Sequence, residues 1–278
     1  MASVINTKTI LSDSVVDLMN QAVIVSGSSY NKVDAYATIR QDDMANSIAF
    51  TVFSRMSAAT TPLTDGTEAD STQMEDTKVS LDMAEYGAVI TSTSLANIAT
   101  AGKADLASAE LVGINLGETT DKLGMNALEG GTNTLTVATS GGSATTTKGA
   151  LRVAYSALAG KGISKFDDGR YVAFMHPSDI SDIKDEYISI AQNTDLGAST
   201  SGIVGALEGC TIVESNSCTE GTISVAGKNA LGKAVAMSPK LVVAEGNDNL
   251  NRKVNVGWHG IMKYGIIDQN AVRVITGA

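Results

Sequence analysis

One polar segment, MSAATTPLTDGTEADSTQMEDT, lies between two strand-like runs, NSIAFTVFSR before it and KVSLDMAEYGAVITSTS after it. Structureless connections of this length are uncommon inside compact domains, and those that occur commonly serve a function or bind a partner. The charge of the region is one-sided. From Gln41 to Asp76 there are seven acids (Asp42, Asp43, Asp65, Glu68, Asp70, Glu75, Asp76) against Arg55 alone, a net of −6 out of −10 for the whole chain. The segment contains no lysine. An arm of this kind cannot bury much of itself, so the rest of the chain must supply the core.

There is material for that core. The chain has 278 residues, enough for two lobes, with 43% hydrophobic and 18% charged residues and three prolines, a globular composition. The net charge of −10 argues against a surface that grips phosphate, which needs clustered Lys and Arg. No apolar run approaches the roughly 18 residues a membrane helix requires. Met1 to Ser14 lacks a basic start followed by an apolar core, so the chain reads as soluble and not secreted. Cys210 and Cys218, in GCTIVESNSCTEG, match no zinc spacing and read as reduced thiols, Cys218 in a polar turn.

Periodicity supplies the elements. SDSVVDLMNQAVIVSG predicts a capped amphipathic helix closing at Gly27. Val79, Leu81 and Met83 alternate as in a strand. Ala109, Val112, Leu116, Thr120, Leu123 and Ala127 share one face of a long helix over 104–128 that ends at Gly130 and Gly131. Its internal glycines, Gly113, Gly117 and Gly124, each cost about 1 kcal/mol against alanine, so they should serve close packing or a bend. TLTVATSGGSATTT reads as a Gly-Gly hairpin, KGALRVAYSALAGKG as a second helix, RYVAFM as a buried strand, and HPSDISDIKDEYISIA as a helix with Ile180 and Ile183 inward. Short strands follow: CTIVES, GTISVAG, AVAMS and KLVVAEG. In the closing stretch, Val254, Val256, Trp258, Met262, Tyr264 and Ile266 fall on one face, and Lys253, Asn255, His259 and Lys263 on the other. Trp258 is thus a structural anchor, and His259 a polar-face residue.

Motifs for chemistry fail on context. GKNALGKA, Gly227 to Ala234, nearly spells a phosphate loop, but Ala234 lacks the magnesium-binding hydroxyl and a strand, not a helix, follows. His176 stands at a strand-to-helix junction without a nucleophile elbow, and Asp179 and Asp182 read as first-turn acids. Asp42-Asp43 and Asp167-Asp168 read as solvated turn acids with no calcium-loop pattern. GASTSGIVGALEG lacks dinucleotide spacing. No catalytic, cofactor or metal residues are expected, and no enzyme.

The order of these features carries more than any one of them. ATTPLTDGTEADSTQ with KVSLDMAEYGAVITSTS, then YVAFMHPSDISDIK, GALEGCTIVESN, GKNALGKA and NLNRKVNVGWHGIMKYGIIDQNAVRVI resemble, from about Asn46 onward, the major capsid proteins of tailed bacteriophages with the Hong Kong 97 fold. The wording is most similar to the branch typified by the coat protein of the Escherichia phage N-four. The resemblance implies an α+β capsid fold with an N-terminal arm over 1–40 and an extended E-loop over 41–78. It implies a peripheral domain over 79–162, its spine helix at about 104–128, completed by 251–270, and an axial domain over 163–250, completed by 271–278. It also implies hexamers and pentamers of the chain itself, a virion shell around double-stranded DNA assembled in the host cytoplasm, and no membrane.

Asp65, Glu68, Asp70, Glu75 and Asp76 are then the candidate inter-subunit contacts, lying across a neighbour over Lys and Arg near its spine helix. The arm offers a lysine only at Lys78, at its base, so the lysine-to-asparagine crosslink of some relatives is not expected. About 45 residues precede the first expected strand, which leaves no room for a scaffolding segment within 1–45 and implies a separate scaffolding protein, with a portal and a decoration protein as further expected partners. Two alternatives stand beside this reading: an encapsulin-type compartment, and a nucleotide-binding enzyme using Gly227 to Lys233.

Overall fold

The computed structural model describes residues 27, 29–43, 45–63, 65, 66, 68, 71–100, 103–136, 148–188, 203–245 and 252–277. Most of the first expected helix and the Gly-Gly hairpin lie outside these residues. Gly27 does not close the first helix: residues 27, 29 and 30 are helical.

Three sheets organise the chain. The first has four strands in the order β1 (Thr38–Gln41), β10 (Leu231–Glu245), β11 (Lys253–Ile266), β4 (Ala84–Thr93), with β1 parallel to β10 and the others antiparallel. A second, six-stranded sheet runs β5 (Thr134–Thr136), β12 (Val272–Thr276), β9 (Thr222–Ala226), β6 (Tyr171–Met175), β8 (Cys210–Glu214), β7 (Ile203–Leu207). The third is a separate two-stranded hairpin of β2 (Ser47–Phe53) and β3 (Asp76–Asp82). The helices are α1 (Ser94–Ala99), α2 (Lys103–Glu129), α3 (Lys148–Gly160) and α4 (Pro177–Ile188).

The main core lies between α2, the inner face of the four-stranded sheet and one face of the six-stranded sheet, and gathers Val112, Met125, Leu128, Val172, Phe174, Val256, Trp258, Met262 and Tyr264. The other face of the six-stranded sheet is covered by α3 (Leu151, Leu158) and α4 (Ile180, Ile183). Strand β6 is buried on both sides, which is why YVAFM is apolar throughout: Val172 and Phe174 enter one core, Tyr171, Ala173 and Met175 the other.

Strand parity holds along β11. Val256, Trp258, Met262, Tyr264 and Ile266 are buried while Lys253 and Lys263 are exposed, and the Trp258 indole Nε1 donates to Asn115 Oδ1 of α2 at 3.0 Å. His259 faces the opposite way, its Nδ1 3.4 Å from Glu85 Oε1.

The glycines of α2 lie on its buried face and let the N-terminal segment cross it closely. A Cβ on Gly117 would run into the Gly27 carbonyl oxygen, and one on Gly124 would lie 2.6 Å from Val33 Cγ1. Below that crossing, Asp121 accepts from the Lys32 and Val33 amides at 2.9 and 3.1 Å and from the Ser215 hydroxyl.

The division of the chain between sheets differs from the sequence expectation. Strand β10 belongs to the four-stranded sheet, so the expected 163–250 unit is split near residue 230. Conversely, β5 and α3, placed by sequence in the 79–162 unit, pack with the six-stranded sheet. The reason is long-range pairing: β10 finds β11, and nothing local in AVAMSPKLVVAEG says so. That segment is one strand, with Pro239 at a register shift between Met237 and Lys240, where a missing amide is tolerated. β1, four residues reading TIRQ and mostly exposed, carries no local strand pattern.

Candidate assembly interface

The hairpin β2–β3 and the connection 54–75 project from the fold. Ile48, Phe50 and Leu81 form a small cluster with Ala234 and Ile267 at the base. Beyond it the described residues of the connection are exposed, including the apolar side chains Met56, Leu63 and Met74, each more than 70% exposed. Asp65, Glu68, Glu75 and Asp76 are exposed too, and among the described residues none of them forms an ion pair. Asp70 lies outside the described residues. The arm therefore combines unpaired negative charge, legible in its composition, with apolar side chains whose exposure only the fold reveals. Arg55, its lone cation, donates from Nη1 to the Gly162 carbonyl at 2.7 Å.

The outer face of the four-stranded sheet has the complementary character. Gly87, Val89, Val242, Ala244 and Gly257 make an apolar depression of about 420 Å3. The exposed Lys240, Lys253 and Lys263 stand on the same odd-numbered outer face or at its register partners.

The sequence candidates for chemistry are held in structural roles. Lys233 of GKNALGKA sits on β10, 7% exposed, its Nζ 2.5 Å from Asp34 Oδ2, while Tyr264 donates to Asp34 Oδ1 at 2.6 Å. Burial, then the Asp34 charge, pushes the Tyr264 hydroxyl far above the usual tyrosine range. Positive φ at Asn229 closes the turn before β10, and a strand follows where a phosphate loop needs a helix.

His176 Nδ1 lies 2.7 Å from Ser178 Oγ, and Asp179, buried, accepts from the Gly221 amide at 3.0 Å. Asp179 is thus more than a first-turn acid: it ties α4 to the turn before β9. Asp167 and Asp168 are exposed turn acids, as expected, and each also holds a local contact. Asp167 pairs with Lys228 at 2.6 Å, which lowers its carboxyl below the usual range, and Asp168 accepts from Thr211 Oγ1 at 2.8 Å and the Arg170 amide at 3.1 Å.

Cys218 lies in the polar turn after β8 with its thiol buried against Met125, and burial pushes both Cys210 and Cys218 thiols up to about 12. Among the described residues no group of three His, Cys, Asp or Glu is placed to hold a metal. No helix among them is long and apolar enough to cross a membrane.

An arm-bearing hairpin, a long helix laid on a four-stranded sheet and a second sheet flanked by helices define the Hong Kong 97 class of capsid fold. The capsid of Ralstonia phage GP4 superposes with a TM-score of 0.70 at 13% identity, covering 87% of each chain. The capsid of cyanophage P-SCSP1u gives 0.64 at 12% identity, over 87% of this chain and 86% of that one. The virus-like particle of Pyrococcus furiosus gives 0.65 at 9% identity, over 94% and 99%. No curated protein matches the chain. A family profile described as phage capsid protein matches residues 107–275, and the chain belongs to that family. It is a structural protein of the phage capsid. The match stands at the level of that family; the likeness to the N-four branch remains one of sequence wording.

Proposed function

We propose that this chain forms hexamers and pentamers that close an icosahedral head around double-stranded DNA, and that its arm is the part each subunit lends to its neighbour. The observation that carries this is the arm itself, with unpaired acids and Met56, Leu63 and Met74 left uncovered. Exposed apolar side chains grouped on a projecting segment mark an interaction surface. Asp65, Glu68, Asp70, Glu75 and Asp76 are the proposed contact residues, and cations of a neighbouring copy, such as those around the outer face of the four-stranded sheet, are their proposed partners. A heterologous contact of this kind closes rings when the rotation between copies permits it. Repetition of modest contacts then gives the shell its strength.

In this reading 1–40 is the N-terminal arm and 41–78 the E-loop, while α2 with the four-stranded sheet makes the peripheral domain and the six-stranded sheet with α3 and α4 the axial domain. Assembly takes place in the host cytoplasm, with a separate scaffolding protein, a portal and a decoration protein as partners. Net charge of −10 suits a container from which packed DNA must slide out. Negative-stain microscopy of the purified chain with and without candidate scaffolding protein tests the proposal. Closed icosahedral particles support it; a monomer that persists in both conditions overturns it. Efficient formation of uniform shells from the chain alone removes the scaffolding partner.

An encapsulin-type compartment is the second reading, favoured by the 94% and 99% coverage shared with the Pyrococcus furiosus particle. Particles purified from their native source that enclose protein cargo and no DNA would select it.

A further inference from the structure

The β2–β3 hairpin meets the rest of the chain in two places. The first is an apolar seat. Gly232 of β10 and Gly265 of β11 are register partners, and together they leave a bare stretch of backbone under the hairpin. A Cβ on Gly265 would run into the Leu81 side chain, and one on Gly232 would lie 3.1 Å from Phe50 Cζ and 2.8 Å from Ile267 Cγ1. Arg40 of β1 closes the seat, its guanidinium 5.2 Å from the centre of the Phe50 ring and its Nη1 donating to the Ala49 carbonyl at 3.0 Å. Neither hairpin strand joins the ladder of the four-stranded sheet, so no strand pairing sets the angle at which the hairpin leaves the fold.

The second place lies further out. Two open clefts, of about 530 and 630 Å3, separate the hairpin from residues 161–164 and 267–271, and Arg55 lines both. The Arg55 bond to the Gly162 carbonyl spans the space between them. Gly162 has φ +65°, which turns the backbone there, and a Cβ at this position would strike the Arg55 guanidinium. The turn closes α3, the Gly162 and Ile163 amides donating to the Ala159 and Leu158 carbonyls at 2.9 and 3.2 Å, and it leaves the Gly162 carbonyl facing Arg55; no other basic residue occurs between Gln41 and Asp76.

We infer that Arg55 and the Gly162 carbonyl form a tether that sets the angle of the arm about the Gly232–Gly265 seat. With the tether made, the arm is held toward the 161–164 turn; with it broken, the hairpin rocks on Phe50 and Leu81 and the arm leaves at other angles. An exposed hydrogen bond is net weak, so neighbouring subunits can override it at small cost, and one chain can present its arm at the differing angles that differing subunit environments require. That last consequence rests on the shell reading; the tether itself does not.

The test uses the full-length chain kept unassembled at low concentration, spin-labelled at Ala58→Cys in the arm and Ser156→Cys on α3. The native cysteines, at 0% and 6% exposure, stay unlabelled. Arg55→Ala, and Arg55→Met, which keeps the stem and loses the donors, are expected to change the ratio of tethered to untethered distances about five-fold, the equivalent of a net bond of ~1 kcal/mol. Arg55→Lys restores part of the tethered population, and Gly162→Ala reproduces the loss from the other side. Distance distributions that superpose on the parent for Arg55→Ala, for Arg55→Met or for Gly162→Ala, at unchanged melting temperature, overturn the tether. Particle microscopy tests the shell separately, so the two readings fail independently.

Discussion

At the scale of single residues, Trp258 and His259 show how far adjacent positions can diverge. Trp258→Ala removes a buried indole and leaves Asn115 without its donor, and should cost about 3–5 kcal/mol. His259→Ala removes a half-buried ring beside Glu85 and should stay within about 0.5 kcal/mol. Denaturant unfolding of the two variants checks both figures, and equal losses would mean that the faces of β11 are misassigned. Lys233 calls for a different comparison. Lys233→Ala strands Asp34 next to Tyr264 and should cost about 3 kcal/mol, whereas Lys233→Met, which fills the volume, is milder only if Asp34→Asn accompanies it.

The thiols give a pH dependence. Their folded pKa of about 12 lies above the ordinary value of 9.0, so their contribution is intact below pH 9 and is lost as pH rises toward 12, where the unfolded chain ionises first. The parent should lose stability in that window, and Cys210→Ala and Cys218→Ala should each flatten the loss, measured against their own values at pH 7.

At the scale of elements, α2 sets propensity against packing. Alanine at Gly117 would favour an isolated helix by about 1 kcal/mol. Here it meets the Gly27 carbonyl, so Gly117→Ala should lower the melting temperature, while alanine at the exposed Asn126 of the same helix should not. The arm behaves in the opposite way, because little of it is packed. Replacing Met56, Leu63 and Met74 together by serine should leave the melting temperature of the unassembled chain unchanged and reduce particle yield in sedimentation. A fall in melting temperature with normal particle yield would place these side chains inside the subunit's own fold. Helix α2, the parity of β11 and the burial of β6 could all be read from spacing, since each is a local pattern imposed by one face. The two-sheet partition could not, because β10 reads as a strand with no indication of which sheet it joins.

At the scale of the whole molecule, the acidic arm and the lysines of the outer sheet face predict assembly that depends on salt. Raising ionic strength from about 0.1 M to 1 M shortens the screening length from about 10 Å to 3 Å and should weaken particle formation. Light scattering of assembly across that range gives the measurement. Yield that rises with salt would point to apolar burial in place of charge as the dominant contact. Mature particles should run as a single monomer band on denaturing electrophoresis, since Lys78, opposite Thr51 on β3, is the only lysine in the 41–78 segment.

The amino-acid sequence by itself determined the existence of the arm, its charge, the long helix and the inward face of the closing strand, because each follows from composition or periodicity within one segment. It also carried the order of motifs by which the capsid class could be suspected. Tertiary structure alone decided that β10 belongs with β11, that Lys233 and Asp34 meet across the fold, and that paired glycines at 232 and 265 form the seat of the hairpin. Those features arise from residues far apart in the chain, brought together by burial and backbone pairing, and no local pattern encodes where such partners lie.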